Sequence, residues 1–348
     1  MIHLDSEGKA MVDAAVTIAD NLLGRVVPFR EIPVVDVAGL LDGTDTVEVA
    51  NALRHAAETV GFLYVAGHGV PDDLVAAMFA ESRAFFDRPL DEKMAVHIKN
   101  SPVHRGYFPL FEENTDPALT ADLKEGFDIG RDLGPDAPEV QRGLPLHGPN
   151  QWPENAIGFR TTAERYFAAM RDLASSLMRA IALALDLRPD WFADKTDRPL
   201  AQVRLLHYPP QTGHVESQTM GCGAHTDYGC LTILAQDPNG GLQVRNTAGE
   251  WIAAPPIPGA FVVNIGDQLA RWTNGRFQAT PHRVINASGR ERYSIPFFFD
   301  PNWDAEIACL PNCLEPGATP RFPPVLAGPY LQSRFDATFK YRQDATPA

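Results

Sequence analysis

Cysteine is scarce in this chain of 348 residues, and the few cysteines present do not suggest a structural role. Their spacing does not form the doubled C-x-x-C pattern of a structural zinc site, and it does not resemble a disulfide framework. The sequence therefore predicts reduced thiols in a reducing compartment. The four cysteines are Cys222, Cys230, Cys309 and Cys313.

Long apolar runs are also missing. No stretch approaches the roughly 20 apolar residues that a membrane-spanning helix requires. Charged residues interrupt the N-terminus, where a secretory signal would need an apolar core. We expect a cytoplasmic protein that is neither exported nor inserted into a membrane.

Positive charge is the third deficit. Lys and Arg total 30 against 44 Asp and Glu, which gives a formal net charge of −14. Such a field repels phosphate backbones and anionic lipid, so nucleic acid and membrane surfaces are not expected as partners. A few Arg residues inside a pocket are still enough to bind a small carboxylate. With 45% hydrophobic residues, the chain has ample material for a folded core.

The first 200 residues are predicted to form a helical and mixed region that packs on the core. Apolar residues recur at helical spacing over residues 11–22, 47–60 and 167–184, and Pro71 with the carboxylates after it begins a helix that runs to about residue 86. Short strands are expected over residues 32–36 and 62–65. A Pro/Gly-rich stretch, residues 132–153, reads as a surface connection.

From about residue 205 the pattern changes to short β-branched runs, such as residues 231–234 and 261–265, separated by turn residues. This pattern is typical of a sandwich or jelly roll. After Pro324 a last helix is expected to return over the body. The predicted organisation is mainly β with helical additions (α+β): a helical and mixed region over residues 1–200, a jelly-roll core over residues 201–325, and a C-terminal helix and tail over residues 326–348.

Three residues could hold a metal ion. His225 and Asp227 are two positions apart, so on a strand both project to one face. The same spacing at His3 and Asp5 shows that this signal is weak by itself. However, His282 follows 55 residues after Asp227, just before an apolar pair. Two histidines and one carboxylate form the facial triad of non-haem iron oxygenases, which leaves three coordination positions free.

A second group of residues could bind a carboxylate. Arg292 and Ser294 again share one face of a predicted strand, and theirs is the one Arg-x-Ser in the chain. A guanidinium is planar, permanently charged and able to donate two parallel hydrogen bonds to a carboxylate. The hydroxyl of Tyr208 is a further candidate donor. A dicarboxylate anchored at Arg292 could chelate the metal with its other end.

These motifs resemble the catalytic domain of the 2-oxoglutarate and Fe(II)-dependent oxygenases of the isopenicillin N synthase family. The resemblance covers about residues 30–340, and one departure is Leu206-His207 before Tyr208, where plant members usually carry Asn-Tyr. The resembling stretches are residues 223–234, 264–267, 273–275, 282–284 and 292–298, with N-terminal landmarks at residues 61–70, 85–89 and 106–107.

The resemblance implies a distorted jelly roll, or double-stranded β-helix, flanked by N-terminal and C-terminal helices, with iron at its open mouth. It implies Fe(II) held by His225, Asp227 and His282, 2-oxoglutarate as co-substrate near Arg292, Ser294 and Tyr208, and O₂ as oxidant. The implied reaction oxidises a small organic molecule, most simply by hydroxylation, and releases succinate and CO₂.

Four aromatic residues are candidate walls of the substrate pocket, although each is also consistent with a core position. Phe298 shares strand parity with Arg292 and Ser294. The other three candidates are Tyr228, Tyr107 and Phe335. His68, between two glycines, is expected to be structural.

Two alternative functions remain open from the sequence. One is an Fe(II) oxidase like isopenicillin N synthase, which uses the triad and Arg-x-Ser but takes no 2-oxoglutarate. The other is a metal-dependent binding or sensor module without catalysis. The sequence predicts neither the prime substrate nor the oligomeric state.

Overall fold

Two facing β-sheets form the centre of the fold. The computed structural model describes residues 17–18, 32–116, 118, 121–211, 214–215 and 220–344. In chain order its strands are β1 (Thr17–Ile18), β2 (Val34–Asp36), β3 (Phe62–Ala66), β4 (Gly106–Phe108), β5 (Glu125–Gly130), β6 (Gln202–Tyr208), β7 (His214–Val215), β8 (Cys222–His225), β9 (Leu231–Gln236), β10 (Leu242–Arg245), β11 (Trp251–Ala253), β12 (Phe261–Ile265), β13 (His282–Val284), β14 (Arg292–Phe299), β15 (Glu306–Ile307) and β16 (Val325–Leu326).

The larger sheet has eight strands in the order β2-β3-β12-β9-β14-β6-β5-β4, and the smaller has four in the order β11-β10-β13-β8. Pairing is antiparallel in both sheets except between β2 and β3. The predicted α+β jelly roll is therefore confirmed. Strands β2 to β5 come from the first 200 residues, so that region completes the main sheet as well as packing on it.

The side chains of β14 alternate between the two faces of the larger sheet, which have different surroundings. Phe297 and Phe299 point into the main hydrophobic core, whereas Arg292, Ser294 and Phe298 line a cavity between the sheets. This division follows from the two-residue period of a strand. The sheet thus separates a helix-covered core from the cavity.

The helices are α1 (Ala38–Asp42), α2 (Thr46–Thr59), α3 (Asp72–Phe86), α4 (Leu90–Ala95), α5 (Pro138–Gln141), α6 (Ile157–Ala184), α7 (Asp267–Trp272), α8 (Ala327–Thr338) and α9 (Lys340–Asp344). Helices α2, α3 and α6 contribute buried apolar residues to the same core as β9, β12 and β14. The Asp45 carboxylate caps α2 by accepting from the Glu48 N–H at 3.3 Å. These helices cover the sheet face opposite the cavity.

The helices expected over residues 47–60, 71–86 and 167–184 and after Pro324 are confirmed as α2, α3, α6 and α8. Most of the helix expected over residues 11–22 lies outside the described residues. At Thr17–Ile18 that prediction is wrong, because these residues pair in parallel with His214–Val215. Apolar spacing cannot reveal such a long-range backbone pairing.

Across the described residues, no helix combines the length and apolar character needed to span a lipid bilayer. All four cysteines are unpaired, and Cys222 and Cys230 are buried.

Candidate metal centre and its cavity

The three predicted metal ligands come together between the sheets. His282 begins β13 and lies directly across from His225, the last residue of β8. Asp227 does not lie on the strand, as its spacing from His225 had suggested, because β8 ends at His225 and Asp227 occupies the turn that follows. Its side chain still reaches the same point: Oδ1 lies 3.6 Å from His225 Nε2 and 3.7 Å from His282 Nε2. One ligand atom from each residue lies within 4.8 Å of the others.

The surroundings orient these ligand atoms. Thr232 and Asn264 donate to Asp227 Oδ2 at 2.5 and 2.7 Å, which leaves Oδ1 for a metal. His225 Nδ1 lies 2.8 Å from the Gly223 carbonyl oxygen, so its Nε2 is the free nitrogen. Two imidazoles and one carboxylate, held in this way, are a donor set that suits Fe(II). The residues therefore fit the ion that the sequence predicts.

At two of the three ligands, protonation suits metal binding. Burial alone would raise the pKa of the Asp227 carboxyl, but the facing His282 and His225 and the Asn264 amide lower that pKa below its usual value. Burial, followed by the charge of His225, lowers the pKa of His282 to about 4. A charged carboxylate and a neutral imidazole are the forms that bind metal, so Asp227 and His282 are already in those forms. Burial lowers the pKa of His225, but the neighbouring Cys222 and Asp227 raise it well above its usual value overall, so His225 must release a proton when a metal binds.

Arg292 lines the same cavity as the triad, with 1% of its surface exposed. Its guanidinium packs 4.6 Å from the Tyr208 ring, and Nη1 lies 3.2 Å from Ser294 Oγ. Nε donates to the Gly240 carbonyl. Among the described residues no carboxylate forms an ion pair with Arg292. A buried guanidinium without a carboxylate partner has the charge and hydrogen-bond donors to bind an external carboxylate.

The cavity measures about 920 Å³ with its open mouth included. It is lined by Tyr228 and Phe298, and by Leu331 and Phe335 of α8. Tyr107 is not a wall of this cavity. It packs against Phe85 in the main core, and its hydroxyl donates to Glu125 at 2.6 Å. His68 likewise lies away from the cavity, stacked on Phe261.

A buried charge network in the cavity wall was not predicted. Arg204 donates to Glu113 at 3.0 Å and to Asp128 at 2.7 Å, and Lys124 Nζ lies 2.9 Å from Glu113 and 2.8 Å from Asp122. Burial raises the pKa of Glu113, but Arg204 and Lys124 lower it to about 2 overall. Every second residue of β6 lines the cavity: Gln202, Arg204, Leu206 and Tyr208. Because Tyr208 was already a candidate, this alternation could have identified Arg204 as a cavity residue from the sequence.

Two family models match the chain. The N-terminal model, described as non-haem dioxygenase in morphine synthesis, matches residues 32–155, and the 2OG-Fe(II) oxygenase superfamily model matches residues 199–301. Among curated proteins, the 2-oxoglutarate-Fe(II) type oxidoreductase hxnY of Emericella nidulans is 40% identical over 84% of this chain and 86% of its own length. A homoarginine-6-hydroxylase of Arabidopsis thaliana is 36% identical over 89% of this chain and 98% of its own length.

Solved structures that resemble this chain also include proteins bound to 2-oxoglutarate (alpha-KG). A full-length Neurospora crassa protein, solved in complex with alpha-KG and thymine, has a TM-score of 0.77 and 32% identity, covering 89% of this chain and 98% of its own length. JOX2 in complex with 2OG, Fe and JA has a TM-score of 0.73 and 25% identity, covering 96% of this chain and 91% of JOX2.

Proposed function

This chain belongs to the 2OG-Fe(II) oxygenase superfamily, and we propose that it holds Fe(II) through His225 Nε2, Asp227 Oδ1 and His282 Nε2. It is an Fe(II)- and 2-oxoglutarate-dependent dioxygenase, an oxidoreductase that uses O₂. The observation that carries the assignment of residues is the convergence of these three ligand atoms in a cavity that also contains a buried guanidinium without a carboxylate partner in the described chain.

We infer that Arg292 and Ser294 bind the distal carboxylate of 2-oxoglutarate, with Tyr208 packed against the guanidinium. Bound Fe(II) supplies the chemistry that couples O₂ activation to decarboxylation of 2-oxoglutarate, giving succinate and CO₂. Thr232 and Asn264 hold the Asp227 carboxylate in one orientation. The apolar side chains of the cavity wall limit water around the reacting groups.

We propose that the prime substrate is a small organic molecule, most simply hydroxylated, that lies against Tyr228, Phe298 and Phe335. The named relatives support this size class, since one acts on homoarginine and a solved neighbour binds thymine. The formal charge of −14 disfavours nucleic acid and anionic membrane surfaces as partners. The four unpaired cysteines support a cytoplasmic location. We also propose divisions at residues 200 and 325. The first is supported by separate family models over residues 32–155 and 199–301, and the second by the start of α8 at Ala327.

Oxygen consumption tests this proposal against its two alternatives. With Fe(II), 2-oxoglutarate and candidate substrates, the protein is expected to consume O₂ and release succinate, at a rate that a true substrate increases. An oxidase of the isopenicillin N synthase type would consume O₂ without 2-oxoglutarate and form no succinate. A sensor module would consume no O₂ under either condition.

A further inference from the structure

The buried charge network in the cavity wall contains as many cations as carboxylates. Lys124 and Arg204 share Glu113, at 2.9 and 3.0 Å. Each also has a carboxylate of its own, Asp122 at 2.8 Å from Lys124 and Asp128 at 2.7 Å from Arg204. Burial lowers the pKa of a third cation to about 10, while the charge of Asp128 favours its protonated form, so it stays charged near neutral pH. The full set is Arg105, Lys124 and Arg204 with Glu113, Asp122 and Asp128.

The proposed function balances the charges at the metal end of the cavity. Asp227 and one carboxylate of 2-oxoglutarate offset the charge of Fe(II), and the other carboxylate offsets Arg292. Among the lining side chains that the structure describes, the remaining carboxyl is Asp300. Burial, and then the charge of Asp227, raises the pKa of Asp300 to about 8, while the Cys230 N–H acts in the opposite direction. Asp300 is therefore mostly uncharged near neutral pH.

The rest of the wall is apolar or uncharged. The aromatic and aliphatic side chains of β14 and α8 face the cavity, and Gln202, opposite Phe298 in the register of β6 and β14, adds a neutral amide. Arg334 packs 4.9 Å from the Tyr228 ring but is not a lining side chain, and its charge acts on the Asp267 carboxyl. In the described residues, the wall thus offers a bound ion no counter-charge that is not already in use.

An ion that leaves water for such a site loses its hydration and gains no partner in return, which disfavours its binding strongly. An uncharged molecule loses much less. We propose that the part of the prime substrate that enters the cavity is uncharged. This inference rests on the proposed function, since it names the substrate class of the same cavity and counts Fe(II) and 2-oxoglutarate in the charge balance.

Two series of probes test the proposal, each with a neutral, an anionic and a cationic member of similar shape. One is benzamide, benzoate and benzamidine, and the other is hexanamide, hexanoate and hexanamidine. Each probe is titrated by calorimetry, without O₂, into the Fe(II) complex with saturating 2-oxoglutarate, so that Arg292 is occupied. We expect the neutral member to bind about a hundredfold more tightly than either ion.

The native comparison decides the proposal by itself. Tightest binding by the neutral member, in one series or in both, is the expected result. A charged member that binds as tightly as its neutral partner in either series overturns the proposal, and so does an absence of binding in both series.

Two variants of the network test whether its balance is the cause. Glu113→Gln leaves a surplus cation, so benzoate should gain about tenfold relative to benzamide, and Lys124→Met leaves a surplus carboxylate, so benzamidine should gain by a similar factor. A general loosening of the fold would not favour opposite charges in the two variants. Glu112→Gln changes a neighbour outside the lining side chains and should keep the native ratios. Folded Glu113→Gln and Lys124→Met variants that both kept the native ratios would overturn the proposal.

Failure of the proposed function is a separate result. The Fe(II) and 2-oxoglutarate complex has a visible charge-transfer absorption that does not require the prime substrate. If the native protein lacked that absorption, the oxygenase assignment of residues would fail. If the absorption were present and a charged probe bound as tightly as its neutral partner, only the inference about substrate charge would fail.

Discussion

The two hydrogen bonds to Asp227 Oδ2 give a quantitative test of how the protein prepares its metal site. Thr232 donates at 2.5 Å and Asn264 at 2.7 Å, and both side chains are buried. Thr232→Val and Asn264→Leu each remove one donor while keeping the shape of the side chain close to the original. Neither change touches a ligand atom.

The expected loss follows from the nature of these bonds. Each joins a neutral donor to a charged acceptor in a buried site, which is worth about 1.5–3 kcal/mol. A free carboxylate can also rotate and pair differently with the two histidines. Each single variant should therefore weaken Fe(II) binding by about ten- to a hundredfold, a range also found for partners of metal ligands in other proteins.

Anaerobic Fe(II) titration against a competing chelator measures this loss, with thermal unfolding as a check on folding. Asn246→Leu is the matched control, because Asn246 bonds Glu250 in the turn between β10 and β11 and lies outside the cavity. A folded double variant, Thr232→Val with Asn264→Leu, that bound Fe(II) as tightly as the native protein would refute the argument.

Three further outcomes are expected. Arg292→Leu should raise the 2-oxoglutarate concentration needed for half-saturation about ten- to a hundredfold and Arg292→Lys by less, measured by absorption; no change would place the carboxylate elsewhere. Deleting residues 326–348 removes Leu331 and Phe335 from the cavity wall, so substrate-stimulated succinate release should fall more than Fe(II) affinity; equal losses would indicate a purely structural helix. Because the pKa of Glu113 is lowered from 4.5 to about 2, its contribution to stability is present above pH 4.5 and is lost as the pH falls towards 2. In Glu113→Gln the free energy of unfolding should therefore depend less on pH in this range. An unchanged pH dependence would contradict the pairing of Glu113 with Arg204 and Lys124.

The sequence was sufficient for the parts of the site that lie on regular strands. Arg292, Ser294 and Phe298 were expected on one face of a strand, and β14 carries all three to the cavity. His225 and His282, far apart in sequence, meet because β8 and β13 pair. Strand alternation is a local property, so it can be read without knowing the fold.

The sequence was insufficient where irregular segments decide the geometry. Glu113 and Lys124 reach the cavity wall from the segment between β4 and β5, which has no periodicity to interpret. Tyr107 was expected near the pocket but packs in the main core, because the face of a short strand depends on its neighbours.

The central claim is that His225, Asp227 and His282 hold iron in a site that also binds 2-oxoglutarate. Its most direct test is anaerobic addition of Fe(II) and then 2-oxoglutarate to the native protein and to folded Asp227→Ala and His282→Ala variants, followed by visible absorption. The account predicts a charge-transfer band in the native protein at one iron per chain, and its loss in both variants. A band of equal intensity and equal iron affinity in either variant would contradict the assignment of the metal ligands.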